Sequence, residues 1–185
     1  HARLKEALSG FDRDKFILTS KIYLPFIKTQ ADLELRLDNS LKQLGVDYLD
    51  YLMFQAMDKI AFNKMIQLEA TSFLDKMIQK GKIKKSAFSF HDDYFTFVNI
   101  LDAFTWDMCQ VQMNYLDICY QAGMKGIQYA NNHNIPVFVM GPLKGGVLTS
   151  YFGSDRKNMD YLAKLAYKWT LSHASIALVI GGFHS

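Results

Sequence analysis

Cysteine is nearly absent: Cys109 and Cys119 are the only two in 185 residues. Two thiols cannot form a disulfide framework, nor by themselves a four-ligand zinc site, which fits a reducing, cytoplasmic location. Both read as small hydrophobes of a core. A dominant charge is missing too, since 21 Lys+Arg face 18 Asp+Glu for a net +3. Binding to nucleic acid needs a concentrated basic face, and the acids dilute it here. No apolar run is long: stretches such as Ile135 to Val139 are strand-sized, whereas a membrane-spanning helix needs about 20 residues. The start, His1-Ala2-Arg3-Leu4-Lys5, is polar and helical in pattern, unlike a signal peptide. No Gly-x-Gly-x-x-Gly follows a strand, so a Rossmann site is unsupported.

What is present is half hydrophobic (50%) and 14% aromatic, enough for a real core in a single domain over residues 1–185. Six apolar runs recur: Phe16 to Thr19, Tyr48 to Phe54, Ser86 to Ser89, Met108 to Met113, Ile135 to Met140 and Ile176 to Ile180. Most are apolar on consecutive positions, the pattern of strands covered on both faces. Between them lie amphipathic helices. Leu33, Leu37, Leu41 and Leu44 make one stripe, with a capping box at Thr29 to Asp32 and Gly45 as the C-terminal cap. Tyr94, Phe97, Val98 and Leu101 make another behind Asp92 as N-cap. Lys80, Lys82, Lys84 and Lys85 read as a solvated loop. The alternation means an α/β protein with parallel strands, either a doubly wound sheet or a (β/α)8 barrel.

In either topology function gathers where strands end. The ends here carry Lys21, Gln55, Ser89-Phe90-His91-Asp92, Gln110 with Gln112 and Asn114, Met140 through Gly146, and Gly181 through Ser185. His91 beside two aspartates suits a metal or proton relay, or simply a capped helix start, the plainer reading.

Taken in order, Phe16-Ile17-Leu18-Thr19-Ser20-Lys21, Leu41 to Tyr51, Gly81 to Lys85, Phe88 to Asp92, Cys109 to Tyr115, Met140 to Leu148 and Val179 to Gly182 resemble the aldo-keto reductase family. The wording at 88–92 and 115–123 is most similar to a bacterial branch whose members often carry an iron–sulfur extension. The resemblance implies a (β/α)8 TIM barrel in which the six strands are the third to the eighth. Two earlier strands, carrying the family's catalytic Asp and Tyr, would then precede His1, and the closing helices would follow Ser185.

The same resemblance assigns roles. Lys21 matches the lysine that lowers the pKa of the catalytic tyrosine, with Ser20 a small departure. Gln55 stands where the family has a carbonyl-orienting histidine; an amide still donates a hydrogen bond but cannot shuttle a proton. Ser89 and Gln110 match residues that hold the nicotinamide. Met140 replaces an aromatic ring packed against it, Gly141 and Pro142 are implied to bind the cofactor, and Leu143 through Leu148, Gly146 among them, match the loop along the pyrophosphate. The implied cofactor is NADP(H), with NAD(H) as the alternative, and the implied partner is a small carbonyl substrate reduced by direct hydride transfer. Gln55 and Met140 keep a second expectation open, a weakened or inactive barrel that binds or regulates. A complete six-strand sheet binding a nucleotide is the third.

Overall fold

The computed structural model describes residues 2–150 and 155–182. Strands and helices alternate throughout: α1 (Ala2–Leu8), β1 (Thr19–Ile22), α2 (Gln30–Leu44), β2 (Leu49–Met57), α3 (Lys59–Gln67), α4 (Ala70–Gln79), β3 (Ile83–Phe90), α5 (Tyr94–Asp102), β4 (Met108–Gln112), α6 (Gly123–Asn132), β5 (Val137–Met140), α7 (Val147–Ser150), α8 (Arg156–Leu171) and β6 (Ile176–Val179). These residues fall into two compact units, His1–Ser89 and Phe90–Ser185.

In the first unit β1 runs parallel to β2, with Thr19 opposite Tyr51 and Ile22 opposite Phe54. The Leu49 N–H donates to the Lys82 carbonyl at the entry to β3. Helix α2 forms where its sequence says it should. Thr29 accepts from the Asp32 N–H while Asp32 accepts from the Thr29 N–H, closing a capping box. Gly45, at φ 70°, ends the helix in the left-handed conformation that glycine adopts without a Cβ penalty. Leu33, Leu37, Leu41 and Leu44 are all buried, each worth roughly 1.5–3 kcal/mol of transfer free energy.

The first apolar run does not become the strand. Phe16 closes a 3-10 turn over Arg13–Lys15, and β1 begins only at Thr19. A polar clamp sets that boundary. The Leu18 N–H donates to the Asp50 carboxylate at 2.8 Å, and Arg13 donates to the same carboxylate at 2.7 Å and to the Tyr48 carbonyl at 3.0 Å. The Arg13 guanidinium also lies 4.1 Å from the centre of the Tyr48 ring. Burial acts to raise the Asp50 pKa. Hydrogen bonds from Leu18, Arg13 and Lys84 outweigh it and hold the carboxyl below its ordinary value.

The lysine run is the expected turn between α4 and β3 only at Lys80 and Lys82. Lys84 and Lys85 lie within β3. Lys80 and Lys82 both pair with Glu34 of α2, Lys82 also with Asp38 at 2.7 Å, and Lys84 with Asp50 at 3.0 Å.

In the second unit β4, β5 and β6 are successive parallel neighbours. Helix α5 starts one residue later than expected: Asp93, not Asp92, caps it by accepting from the Thr96 N–H at 2.8 Å. The Asp92 carboxylate instead accepts from the Asp93 N–H. Cys109, inside β4, is buried as expected, and that burial pushes its thiol pKa up to about 12. Cys119 is exposed, because it lies in the loop after β4 and not in an element of the core.

Candidate active site

The candidate residues of the first unit sit on neighbouring strands. Lys21 is paired with Met53, and Gln55 lies two residues beyond Met53. Side chains alternate across a strand, so Lys21 and Gln55 belong to one face of the sheet. Both line one cavity of about 360 Å³ with Tyr23, Phe26 and Ile27, a volume within the roughly 300–1,000 Å³ range of small-molecule sites. Lys21 is exposed over part of its surface, yet the protein packed around it lowers its pKa through burial. β1 starts later than its apolar run and β2 ends beyond its own, so both are strand residues and not the loop residues that follow.

Ser89, near the end of β3, is 3% exposed. Its Oγ accepts from the Ala56 N–H at 2.9 Å. Ala56 has φ 52°, an uncommon conformation for a residue with a Cβ. The serine therefore satisfies a donor in the irregular backbone directly after Gln55, and its own hydroxyl proton remains to be donated.

The remaining candidates lie in the second unit. Gln110 is 5% exposed, and its amide donates to the Met140 sulfur at 2.9 Å. A thioether is a weak acceptor, so a ligand oxygen would compete well for that donor. Gly141, Pro142 and Leu143 follow β5. The Lys144 N–H donates to the Gly141 carbonyl, and the N–H groups of Gly146 and Leu148 both return to the Leu143 carbonyl. Lys144, Gly145 and Gly146 take φ of 49°, 66° and 93° in succession. A Cβ at Gly145 or Gly146 would meet nothing within 4 Å, so backbone there is open to close approach. Leu148 differs in one respect: its side chain is 2% exposed and packs into the core.

Three polar residues that sequence patterns left unassigned shape this loop. Asn114, fully buried, accepts from the N–H groups of Leu116 and Asp117 and donates to the Asp117 carboxylate at 2.9 Å. Asp117 in turn accepts from Lys144 at 2.7 Å. Asn114 had been visible as a strand-end residue, but nothing in the sequence pairs Asp117 with Lys144. His91 contacts Gln121 at 3.4 Å, and no group of three or more metal-ligating side chains exists among the described residues. Gly181 and Gly182 follow β6, while Phe183, His184 and Ser185 lie outside the described residues.

The family model for the aldo/keto reductase family matches residues 2–171. The chain belongs to that family. Among solved structures, the holo form of the aldo-keto reductase AKR11C1 from Bacillus halodurans superposes with a TM-score of 0.78 at 20% identity, covering 98% of this chain and 66% of that one. An aldo/keto reductase from Klebsiella pneumoniae, in complex with NADP and acetate, gives 0.74 at 22% identity, covering 97% and 64%. A Klebsiella pneumoniae aldo-keto reductase in complex with NADPH gives 0.71 at 23% identity, covering 97% and 63%. No curated protein matches. The fold is thus that of the aldo-keto reductase (β/α)8 barrel, with six strands contributed by a chain that spans about two thirds of these neighbours. No helix among the described residues is long and apolar enough to cross a membrane.

Proposed function

We propose that this chain serves an NADP(H)-dependent oxidoreductase that reduces a small aldehyde or ketone to an alcohol in the cytoplasm. The observation that most supports this reading is the single cavity shared by Lys21 and Gln55, the two positions that correspond to the family's catalytic lysine and histidine. When bound, the nicotinamide supplies hydride to the carbonyl carbon. Lys21 places a cation where it favours ionisation of a tyrosine proton donor. The Gln55 amide donates to the carbonyl oxygen and orients it, without exchanging a proton. Ser89 in the first unit and Gln110 in the second are the residues that would hold the nicotinamide, Met140 would pack against its ring, and the loop from Leu143 to Leu148 would follow the pyrophosphate. Positioning, and not a covalent intermediate, then carries the catalysis.

The test is NADPH oxidation by the full-length polypeptide with a panel of aldehydes, using NADPH deuterated at C4. Deuterium in the product alcohol is expected. NADPH binding with no turnover of any aldehyde would overturn the reading in favour of a second one, a barrel that binds cofactor without catalysis. The amide of Gln55 in the histidine position favours that second reading.

A further inference from the structure

Gln55 is exposed, so its own packing leaves several rotamers open to its amide. What aims it is the backbone it stands on. Before it, Phe54 is fully buried and paired with Ile22 of β1. After it, Met57 is fully buried, and Asp58 caps α3 by accepting from the Ala61 N–H at 2.7 Å. Between these fixed points the chain passes through Ala56 at φ 52°, a left-handed conformation that a Cβ disfavours. A residue persists there only when its surroundings hold it. The Ser89 hydroxyl does so, accepting from the Ala56 N–H at 2.9 Å across 33 positions of sequence.

The serine stands where only a bonded hydroxyl is tolerated. It follows Ala87 and Phe88 on β3, both fully buried, and burying a hydroxyl costs free energy unless it finds a partner. Removing it would leave the Ala56 N–H without that acceptor and Ala56 without the tie that offsets its backbone conformation. With Phe54 and Met57 anchored on either side, relaxation of Ala56 must be taken up at Gln55, turning the direction of its Cα–Cβ bond. We infer that Ser89 is a positioning residue: through the left-handed turn at Ala56 it aims the Gln55 amide at the carbonyl oxygen of the substrate. The inference deepens the reductase reading and rests on it for the role of Gln55, whereas the coupling of Ser89 to the Gln55 side chain does not.

The experiment has two arms on the full-length protein, with circular dichroism checking that each variant folds. The first measures kcat and KM for 4-nitrobenzaldehyde with NADPH. Ser89→Ala is expected to lower kcat on the order of 10-fold. In a Gln55→Ala background, where the amide is already gone, it is expected to lower kcat by no more than about 2-fold. Ser89→Thr keeps the hydroxyl and should keep most of the rate. Ala56→Gly, which takes the turn without a Cβ penalty, should return part of the rate to Ser89→Ala. The second arm follows the Gln55 side-chain amide by NMR of glutamine-labelled protein, its signal assigned with Gln55→Ala. Ser89→Ala is expected to move that signal, and Ser89→Thr to leave it nearly in place. A loss confined to the KM for NADPH, an unchanged kcat, or equal losses in the two backgrounds overturns the inference and leaves the reductase reading intact. A Gln55 signal unmoved by Ser89→Ala overturns it as well. A signal that moves in a protein that reduces no aldehyde supports the coupling and overturns the reductase reading instead.

Discussion

The ammonium of Lys144 donates to the Asp117 carboxylate at 2.7 Å, tying the glycine-bearing loop after β5 to the turn after β4. Asn114 completes the link from beneath, and together Lys144 and Asn114 hold the Asp117 pKa below its ordinary value. The same loop runs through three successive left-handed residues, and Thr149 and Ser150 hold it from its far end by donating to the Gly146 carbonyl at 2.8 and 3.2 Å.

Loosening that tie is expected to cost cofactor affinity. Asp117→Asn removes the charge while keeping the size. The ion pair is partly exposed, at 15% for Asp117 and 42% for Lys144, which limits its value to about 1 kcal/mol. NADPH binding, followed by quenching of intrinsic fluorescence, should weaken about 3- to 5-fold, with the far-ultraviolet circular dichroism unchanged.

The clamp at Asp50 predicts both a stability change and a pH dependence. Arg13→Ala leaves a mostly buried carboxylate with fewer partners, and the pair's intermediate burial, 21% and 13% exposed, suggests a loss of about 2–3 kcal/mol in urea unfolding. The folded-state pKa of Asp50 is depressed. Its contribution is therefore fully present above the unfolded-state pKa, and is lost as pH falls through the folded-state value. Stability should decline below about pH 4, and the decline should be shallower in Asp50→Asn, as measured by urea midpoints across the acid range.

The two cysteines should behave as different chemical species. Cys119 is exposed, while Cys109 is buried with its thiol pushed up to about 12. Only the thiolate reacts. A disulfide-exchange reagent at neutral pH should label one thiol per chain in the folded state and both after denaturation, and Cys119→Ser should abolish the native-state reaction.

Helical periodicity, caps and apolar runs made the order of elements readable from the chain. The α2 stripe, its capping box and Gly45 follow from local rules that tertiary structure did not override. Strand limits were less legible. Lys84 and Lys85 extend β3 although they break its apolar run, because their charges find partners such as Asp50 across 34 positions of sequence. The Lys21–Gln55 cavity was legible only as two strand ends. Asp117 and Lys144 are 27 positions apart, and no local pattern joins them.

The account depends most on Lys21 acting in proton transfer at the cavity it shares with Gln55. The direct test is the rate of NADPH oxidation by Lys21→Met in the full-length protein, measured alongside its NADPH affinity. A loss of on the order of 10²-fold or more in kcat with cofactor binding preserved is the predicted result. A variant that reduces aldehydes at the rate of the unaltered protein would contradict the assignment.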